Sequence, residues 1–529
     1  MIERMEQGVS SMQIGIQQHD YLNPVPGSNE ERNRFHALQQ TFASEYEDIF
    51  PNVLAEKTIV IIPSLTIDQE ILSKVKGSVY YEERLLCLLM LLRMPRTHII
   101  YLSSIPIDPV IVDYYLHLLP GITGYHARQR LTMLSCFDAS SKSLTEKILQ
   151  RPRLIERIRN RISGGHLAHI ACFNMTNLER TLAVQLELPI YGCDPDLLHL
   201  GTKSGSRKIF RECGLDTPQG FEDLRDELDI IGALVELKRN NPQLEKAVVK
   251  LNEGFSGEGN AIFSFSDYDE SRNLKSYVRD SIAAKLEVVA DDITYQNFID
   301  KFRSMQGVVE EFIPGAIKHS PSVQCRINPL GKVEVLSTHD QLLGGESGQV
   351  FIGANFPAIP EYAREIGLMG RDIGINLKEH GVIGRFGADF ISVKTEKGWK
   401  HYALELNLRK GGTTHPFLML QGLTVGNYDL ESGIYSTANG QKRYYFSSDN
   451  LKSDVYRGLT PHDLMDIAIT NRLQYDGSLQ QGVMFHLMGA LSQYGKLGVV
   501  CIGDTANRAT AFYRRTVQVL NREGNSTYS

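Results

Sequence analysis

From residue 57 the apolar positions fall in short, nearly unbroken runs: KTIVIIPSL, THIIYLSS, RLTMLSCFD and LAHIACFN. Such runs predict strands covered on both faces, as in a parallel sheet. Between them, YEERLLCLLMLLRM is apolar all round and predicts a buried helix, and SLTEKILQRPRLIERIRNRI predicts a basic one. Strands alternating with helices give an α/β domain, placed at residues 53–198. The first 52 residues are polar, end in DIFPN, and read as a partly helical extension.

The rhythm changes at GTKSGSRKIFRECGLDTPQG, where a helix closes on Gly214 ahead of Pro218. Alternating strands with glycine loops then continue to about residue 435, an α+β texture. YDLESGIYSTANGQKRYYFSSDN reads as a polar hairpin or linker. GVMFHLMGALSQYGKLGVVCIGDTANRATAFYRRTVQVL predicts a helix, a strand and a helix, with Gly495 as a helix stop. Residues 436–529 are therefore expected as a separate small α/β region.

Length and composition bound this picture. A chain of 529 residues exceeds what one core organises, so several domains are expected. Its 42% hydrophobic and 22% charged content is that of a globular protein, and a net charge of −6 gives no reason to expect nucleic acid. The strongest apolar run, LLCLLMLL, is far short of the roughly 20 residues that span a bilayer, so no membrane is expected. Seven cysteines form no CxxC pair, which suits a reducing cytoplasm.

Three stretches carry candidate chemistry. In AVVKLNEGFSGEGNAIF a strand puts Lys250 beside Val248 on one face, and the loop after it carries Gly254, Ser256, Gly257 and Gly259. A lysine in such a strand needs an anion or water, and glycines let backbone N–H groups converge on phosphate. A plain glycine-rich turn after an edge lysine explains the same residues. In GVVEEFIPG two glutamates stand on an apolar strand, and an inward one beside exposed backbone groups could recognise an adenine amine; outward charge on an edge strand is the alternative.

The third stretch is GRFGADFISVKTEKGWKHYALELNLRKGG, two alternating strands joined at TEKG. Alternation puts Asp389, Ile391 and Val393 on one face of the first strand. It puts Ala403, Glu405 and Asn407 together on the second, with Leu404, Leu406 and Leu408 opposite. Two carboxylates and an amide, with no histidine or cysteine, suit Mg²⁺ beside phosphate oxygens. Arg385 and Arg409 then face the charge that develops during transfer.

Taken together, Lys203, Lys250, VVEEFI, Asp389 and ELN resemble in order and spacing the ATP-grasp superfamily. More narrowly, PIYGCDPDLLHLGTKSGSRKIF, KLNEGFSGEGNA, ELNLRKGGTTHPF and GVMFHLMGALSQYGKLGVVCIGDT resemble the pheganomycin peptide-ligase-related family, over roughly residues 55–525. The resemblance implies a pre-ATP-grasp domain at 53–198 and an ATP-grasp domain of two α+β subdomains at 199–435. It implies that Lys203 and Lys250 contact ATP and that the loop 254–259 closes over its phosphates. Glu310 would take the adenine amine, beside the backbone of Glu311, Phe312 and Ile313. Asp389, Glu405 and Asn407 would ligate magnesium, two ions being expected.

The chain departs from the family pattern in one respect. Where relatives carry an acidic ribose contact, GAIKHSPSVQ has no acid, leaving Lys318, His319 or Ser322 as substitutes. His339, beside Asp340 and Gln341, is a candidate proton acceptor, and His415 a candidate pocket residue. The implied activity is ATP-dependent amide formation from a small-molecule carboxylate and an amine or peptide acceptor, through an acyl phosphate. An ATP-binding sensor without turnover and a phosphotransferase remain as alternatives. Substrate identity and oligomeric state, a homo-oligomer included, stay open.

Overall fold

The computed structural model describes residues 23–526, apart from 51, 68–71, 74, 163, 165, 255–258, 291, 292 and 345–349. The first sheet contains β1 (Lys57–Ile62), β2 (Thr97–Ser103), β3 (Leu131–Ser135) and β4 (Leu167–Cys172), in the order β3-β2-β1-β4 and parallel throughout. Ile59 and Ile61 of β1 join one apolar cluster while Val60 and Ile62 join another. Burial on both faces is why KTIVII reads as an unbroken run. The apolar segment Ser78–Arg93 is helical but drawn into 3-10 geometry, and it lies against the first sheet. The basic stretch forms two helices instead of one, Leu144–Leu149 and Pro152–Arg159. Pro152 cannot continue the first ladder, and Arg151 caps the break by donating to Lys147 O at 2.7 Å.

The polar extension is part of this unit. Ser28 caps the helix Asn29–Ile49, whose Phe35, Phe42 and Tyr46 are buried. Gln39 exchanges two backbone bonds with Ile190, at 2.9 and 2.8 Å. A boundary at residue 52 therefore has no counterpart in the packing of the described residues 29–49. Residues 1–22 lie outside the described set.

A small antiparallel sheet follows: β5 (Gly220–Leu224), β6 (Lys246–Leu251), β7 (Asn260–Ser264), β8 (Leu286–Val288) and β9 (Gly307–Glu311), ordered β5-β9-β6-β7-β8. With the helices Glu227–Asn240, Leu274–Lys285 and Tyr295–Met305 it encloses a core of its own. The large sheet begins with β10 (Lys318–Ile327), β11 (Val333–Gly344), β12 (Val350–Phe356), β13 (Gly384–Thr395) and β14 (Gly398–Asn407). After the two-stranded hairpin β15 (Asn427–Asp429) and β16 (Ile434–Ser436), it continues with β17 (Tyr444–Lys452), β18 (Gly482–His486) and β19 (Lys496–Gly503). Its order is β14-β13-β10-β11-β12-β17-β19-β18.

The boundary drawn at 436 is thus corrected: the C-terminal strands extend the central sheet. GVMFH is a strand instead of a helix, because it pairs antiparallel with β19 and all five residues are buried. Gly495 does stop the short helix before β19, at φ 58°. Leu85, Leu89, Ile59, Phe417 and Val499 share one apolar cluster, so both ends of the chain are packed into one body. Among the described residues no helix is long and apolar enough to cross a membrane.

His339 belongs to this interior and not to a reaction centre, which corrects its sequence reading. It is fully buried, stands 2.8 Å from the Tyr445 hydroxyl through Nε2, and packs on Phe356 at 5.3 Å. On β11 alternation puts His339 on the side of Gln341 and opposite Asp340, but it lies deeper, against Tyr445 and Phe356, and does not line the cleft that Asp340 and Gln341 line. Burial pushes its imidazole down to about 3. A folded value below the ordinary one means that the stability it contributes is present above pH about 6.5 and lost as pH falls. Replacing His339 by Gln is therefore expected to give a variant whose urea stability gains on the parent by about 1.4 kcal/mol per pH unit below pH 6.5. Parallel stability curves for the two proteins between pH 7 and 5 would refute a neutral buried imidazole.

Candidate active site

A cleft of about 1150 Å³ lies between the small sheet and the large one. Lys203 and Lys250 line it together with Asp389, Glu405 and Asn407. The helix Lys203–Glu212 organises both sides. Thr202 caps it through Gly205 N–H at 3.0 Å, and Lys203 N–H reaches Asn252 O at 3.2 Å beyond β6. Ser206 Oγ accepts from Leu406 N–H at 3.0 Å, tying β14 to the same helix. Gly205 is required there, since a Cβ would stand 2.0 Å from His199 O.

On the small sheet, β6 and β9 run antiparallel with Val248 opposite Glu310. Lys250 and Glu310 point the same way and form an ion pair. Arg207 Nη1 takes the other carboxylate oxygen at 3.1 Å. Glu310 is the inward glutamate of the EE pair, 3% exposed, and both its oxygens are engaged by cations. Its direct effect is to hold Lys250 in the cleft wall, while the adenine role inferred from resemblance stays an expectation. Glu311 and Phe312 N–H groups are taken up by Gln219 O and Lys246 O at 2.8 and 3.0 Å. Lys318 donates to Ile313 O at 3.2 Å and lies over the Phe312 ring at 4.5 Å. Gly254 and Gly259 also line the cleft, whereas Ser256 and Gly257 lie outside the described residues.

The hairpin of β13 and β14 sets Asp389 directly opposite Glu405 and Gly387 opposite Asn407. A bulge falls between Asp389 and Phe390, so Phe390 opposes Ala403. Strict alternation is therefore corrected: Leu404 is the extra residue and turns to the cleft, and Ala403 joins Leu406 in the core. Asp389 accepts from Gln341 Nε2 at 2.6 Å and from Asn407 Nδ2 at 3.1 Å. Lys203 Nζ sits 2.6 Å from Glu405 Oε1.

Burial and the neighbouring Glu405 charge raise the Asp389 carboxyl to about 7. For Glu405, burial pushes upward, but the Lys203 ammonium and Arg409 outweigh it and hold its carboxyl low. Two half-buried carboxylates side by side need positive charge between them. Lys203 supplies part of it here, on the oxygen that a cation would use. The donor set, all hard oxygen with an adjacent ammonium as stand-in, fits a magnesium ion.

The remaining sequence candidates separate. Arg409 lines the cleft, within the field of Glu405 and Asp389. Arg385 does not: it lines a small recess with Tyr191, Cys193 and Lys410, which Arg409 borders as well, and burial first and Arg326 second lower its guanidinium to about 10. The four-residue spacing from Asp389 carries it past the end of the cleft, so its catalytic reading is corrected. Lys410 turns away to donate to Cys172 O at 2.5 Å, anchoring the hairpin's exit to β4. His415 is buried 3.3 Å from His486 and lines no part of the cleft. Lys318 and His319 line it, Ser322 does not, and Asp340 on the next strand brings the carboxylate that 315–324 lacks.

Arg207 escaped the sequence reading. Its signal was one helical turn of spacing from Lys203, which puts both on the same face. Arg84, Tyr81, Lys452 and Lys496 also line the cleft, and their distance along the chain hid them. Replacing Arg207 by Met is expected to cost about 3–5 kcal/mol in urea unfolding, because buried Glu310 loses one of two partners. A loss below about 1 kcal/mol, the scale of an exposed pair, would contradict the buried triad.

Residues 195–290 and 283–431 match a family model described as IQCH-like, ATP-grasp, and residues 463–516 match a PGM1 C-terminal domain. Among curated proteins, L-propargylglycine–L-glutamate ligase of Streptantibioticus cattleyicolor is 28% identical over 88% of this chain and 94% of its own. IQ motif-containing protein H of Danio rerio is 22% identical over 92% of this chain, which spans 50% of that longer relative. Biotin carboxylase of Campylobacter jejuni, solved as an ATP-analogue complex, superposes with TM-score 0.51 over 87% of this chain and 90% of its own, at 12% identity. Matched segments and the two-sheet cleft are similar to those of ATP-grasp proteins, and the chain has an ATP-grasp fold.

Proposed function

We propose that this protein is an ATP-dependent carboxylate–amine ligase that forms an amide and releases ADP and phosphate. The observation carrying this is the meeting, in one cleft, of Lys203 and Lys250 with the paired carboxylates Asp389 and Glu405 and with Asn407 beside them. The 28%-identical relative is named for joining two amino acids, which supports an amino-acid or peptide acid and amine as substrates here. Seven free thiols, six of them buried, support a cytoplasmic setting.

In the reaction, an oxygen of the acid substrate's carboxylate attacks the γ-phosphorus of ATP. The bond from that phosphorus to the β-phosphate bridging oxygen breaks, and its electrons leave with ADP. An amine then adds to the acyl carbon and loses a proton, and inorganic phosphate departs. Lys250, fixed by Glu310, and the backbone around Gly254 and Gly259 hold the triphosphate from the small sheet. Magnesium, two ions in this reading, would be held by Asp389, Glu405 and the Asn407 amide and would neutralise charge on the phosphates. Lys203 releases Glu405 to that role and turns its ammonium to the nucleotide. Arg409 is the donor placed for the oxyanion of the amide-forming step.

Changing Arg409 to Met is expected to lower substrate-dependent ADP release by about 10²–10³-fold, and Glu405→Ala to do comparable harm. Both variants should keep the parent's circular dichroism. Wild-type turnover in Glu405→Ala would remove the carboxylate site from the mechanism. If Mg·ATP raises Tm but no acid elicits ADP release, the protein is an ATP-binding sensor; a stable phosphorylated product with no amide would instead mark a phosphotransferase.

A further inference from the structure

The cleft is larger than the 300–1,000 Å³ usual for one ligand, and its far end has a different character from the nucleotide end. The nucleotide end mixes lysines with Glu310, Glu311, Asp340, Asp389 and Glu405. Beyond Arg409 the lining comes from the helix Ser78–Arg93 and from β17 and β19, outside the stretch 195–431. There Arg84, Lys452, Lys496 and Lys76 line the space, and Asp449 is the one carboxylate among the described lining residues. Asp449 is already engaged: its Oδ2 lies 2.7 Å from Arg84 Nη2, with both side chains under 10% exposed.

Tyr81 stations two of these cations. The Arg84 guanidinium lies over its ring at 4.1 Å and the Lys496 ammonium at 4.9 Å. Lys496 Nζ also donates to the Tyr81 hydroxyl at 2.6 Å. Two cations on one ring repel each other, and a single carboxylate neutralises only one of them. An anion entering beside Lys496, whose cross-strand partner is Lys452, relieves the repulsion and gains directed donors from both lysines. The wall is continuous with the reaction centre, since Arg84, Lys452 and Lys496 line the same cleft as Arg409.

We infer that the acid substrate is a dicarboxylate of amino-acid to dipeptide length: one carboxylate reacts beside Arg409, and the second is held by Lys452 and Lys496 at the Tyr81 wall. This rests on the ligase reading and adds substrate class to it. The test is ADP release by the full chain with Mg·ATP and hydroxylamine as nucleophile, over matched pairs: L-glutamate against L-glutamine, and L-glutamyl-L-glutamate against L-glutaminyl-L-glutamine. The charged member of at least one pair should be preferred by about tenfold or more in kcat/KM, the scale of one charged hydrogen bond.

In the Lys496→Met and Lys452→Gln variants this preference should fall below about threefold, with KM for ATP unchanged. Equal use of charged and neutral members in both pairs overturns the inference and leaves the ligase reading standing. Should no acid elicit ADP release, the ligase reading fails instead. The wall is then read by thermal shift with the same pairs: stabilisation by the charged members that Lys496→Met abolishes upholds it, and no difference overturns it.

Discussion

The site depends on one constraint: two carboxylates forced together inside the protein must be met by positive charge. The register that sets Asp389 against Glu405 is fixed by the backbone ladder of β13 and β14, so the repulsion cannot be relaxed by moving apart. Lys203 on Glu405, and Gln341 and Asn407 on Asp389, make the arrangement tolerable. The same logic governs the facing wall, where Glu310 is buried because Lys250 and Arg207 both reach it. Each half of the cleft thus holds carboxylates that are paired with cationic side chains.

That arrangement also explains why the small sheet has its own core. Its apolar residues pack among helices 227–240, 274–285 and 295–305 and share no cluster with the large sheet. The link to the rest of the body at the site runs through the helix Lys203–Glu212, bonded to Asn252 on one side and Leu406 on the other. The cleft-lining side chains of the two sheets are therefore tied to each other by a single short helix. The large sheet, by contrast, is continuous from the β13–β14 hairpin to the C-terminal strands, which is how β17 and β19 come to line the same cleft as Asp389.

Several sequence readings failed for definite reasons. Alternation misassigned Ala403 and Leu404 because a bulge inserts one residue, and nothing in YALELN marks it. His339 was a candidate proton acceptor, but it is fully buried beneath the cleft, and the Tyr445 hydroxyl claims the imidazole. Arg385 was grouped with Arg409 by chain position, although it lies in a recess against the first domain. GVMFH was assigned to a helix because a short apolar run carries no period of its own; pairing with β19 decides it.

What the sequence determined by itself was local: buried parallel strands from unbroken apolar runs, Gly214 and Gly495 as helix stops, and a carboxylate–amide pattern on one hairpin. Those follow from side-chain period, backbone permissiveness and the cost of burying charge, all of which act over a few residues. Tertiary structure alone decided that Arg207 shares Glu310 with Lys250, that the C-terminal strands complete the central sheet, and that Tyr81, Arg84, Lys452 and Lys496 meet at one end of the cleft. These pairings join residues tens to hundreds of positions apart. No local propensity encodes them; the choice is made by which apolar faces must be covered at once.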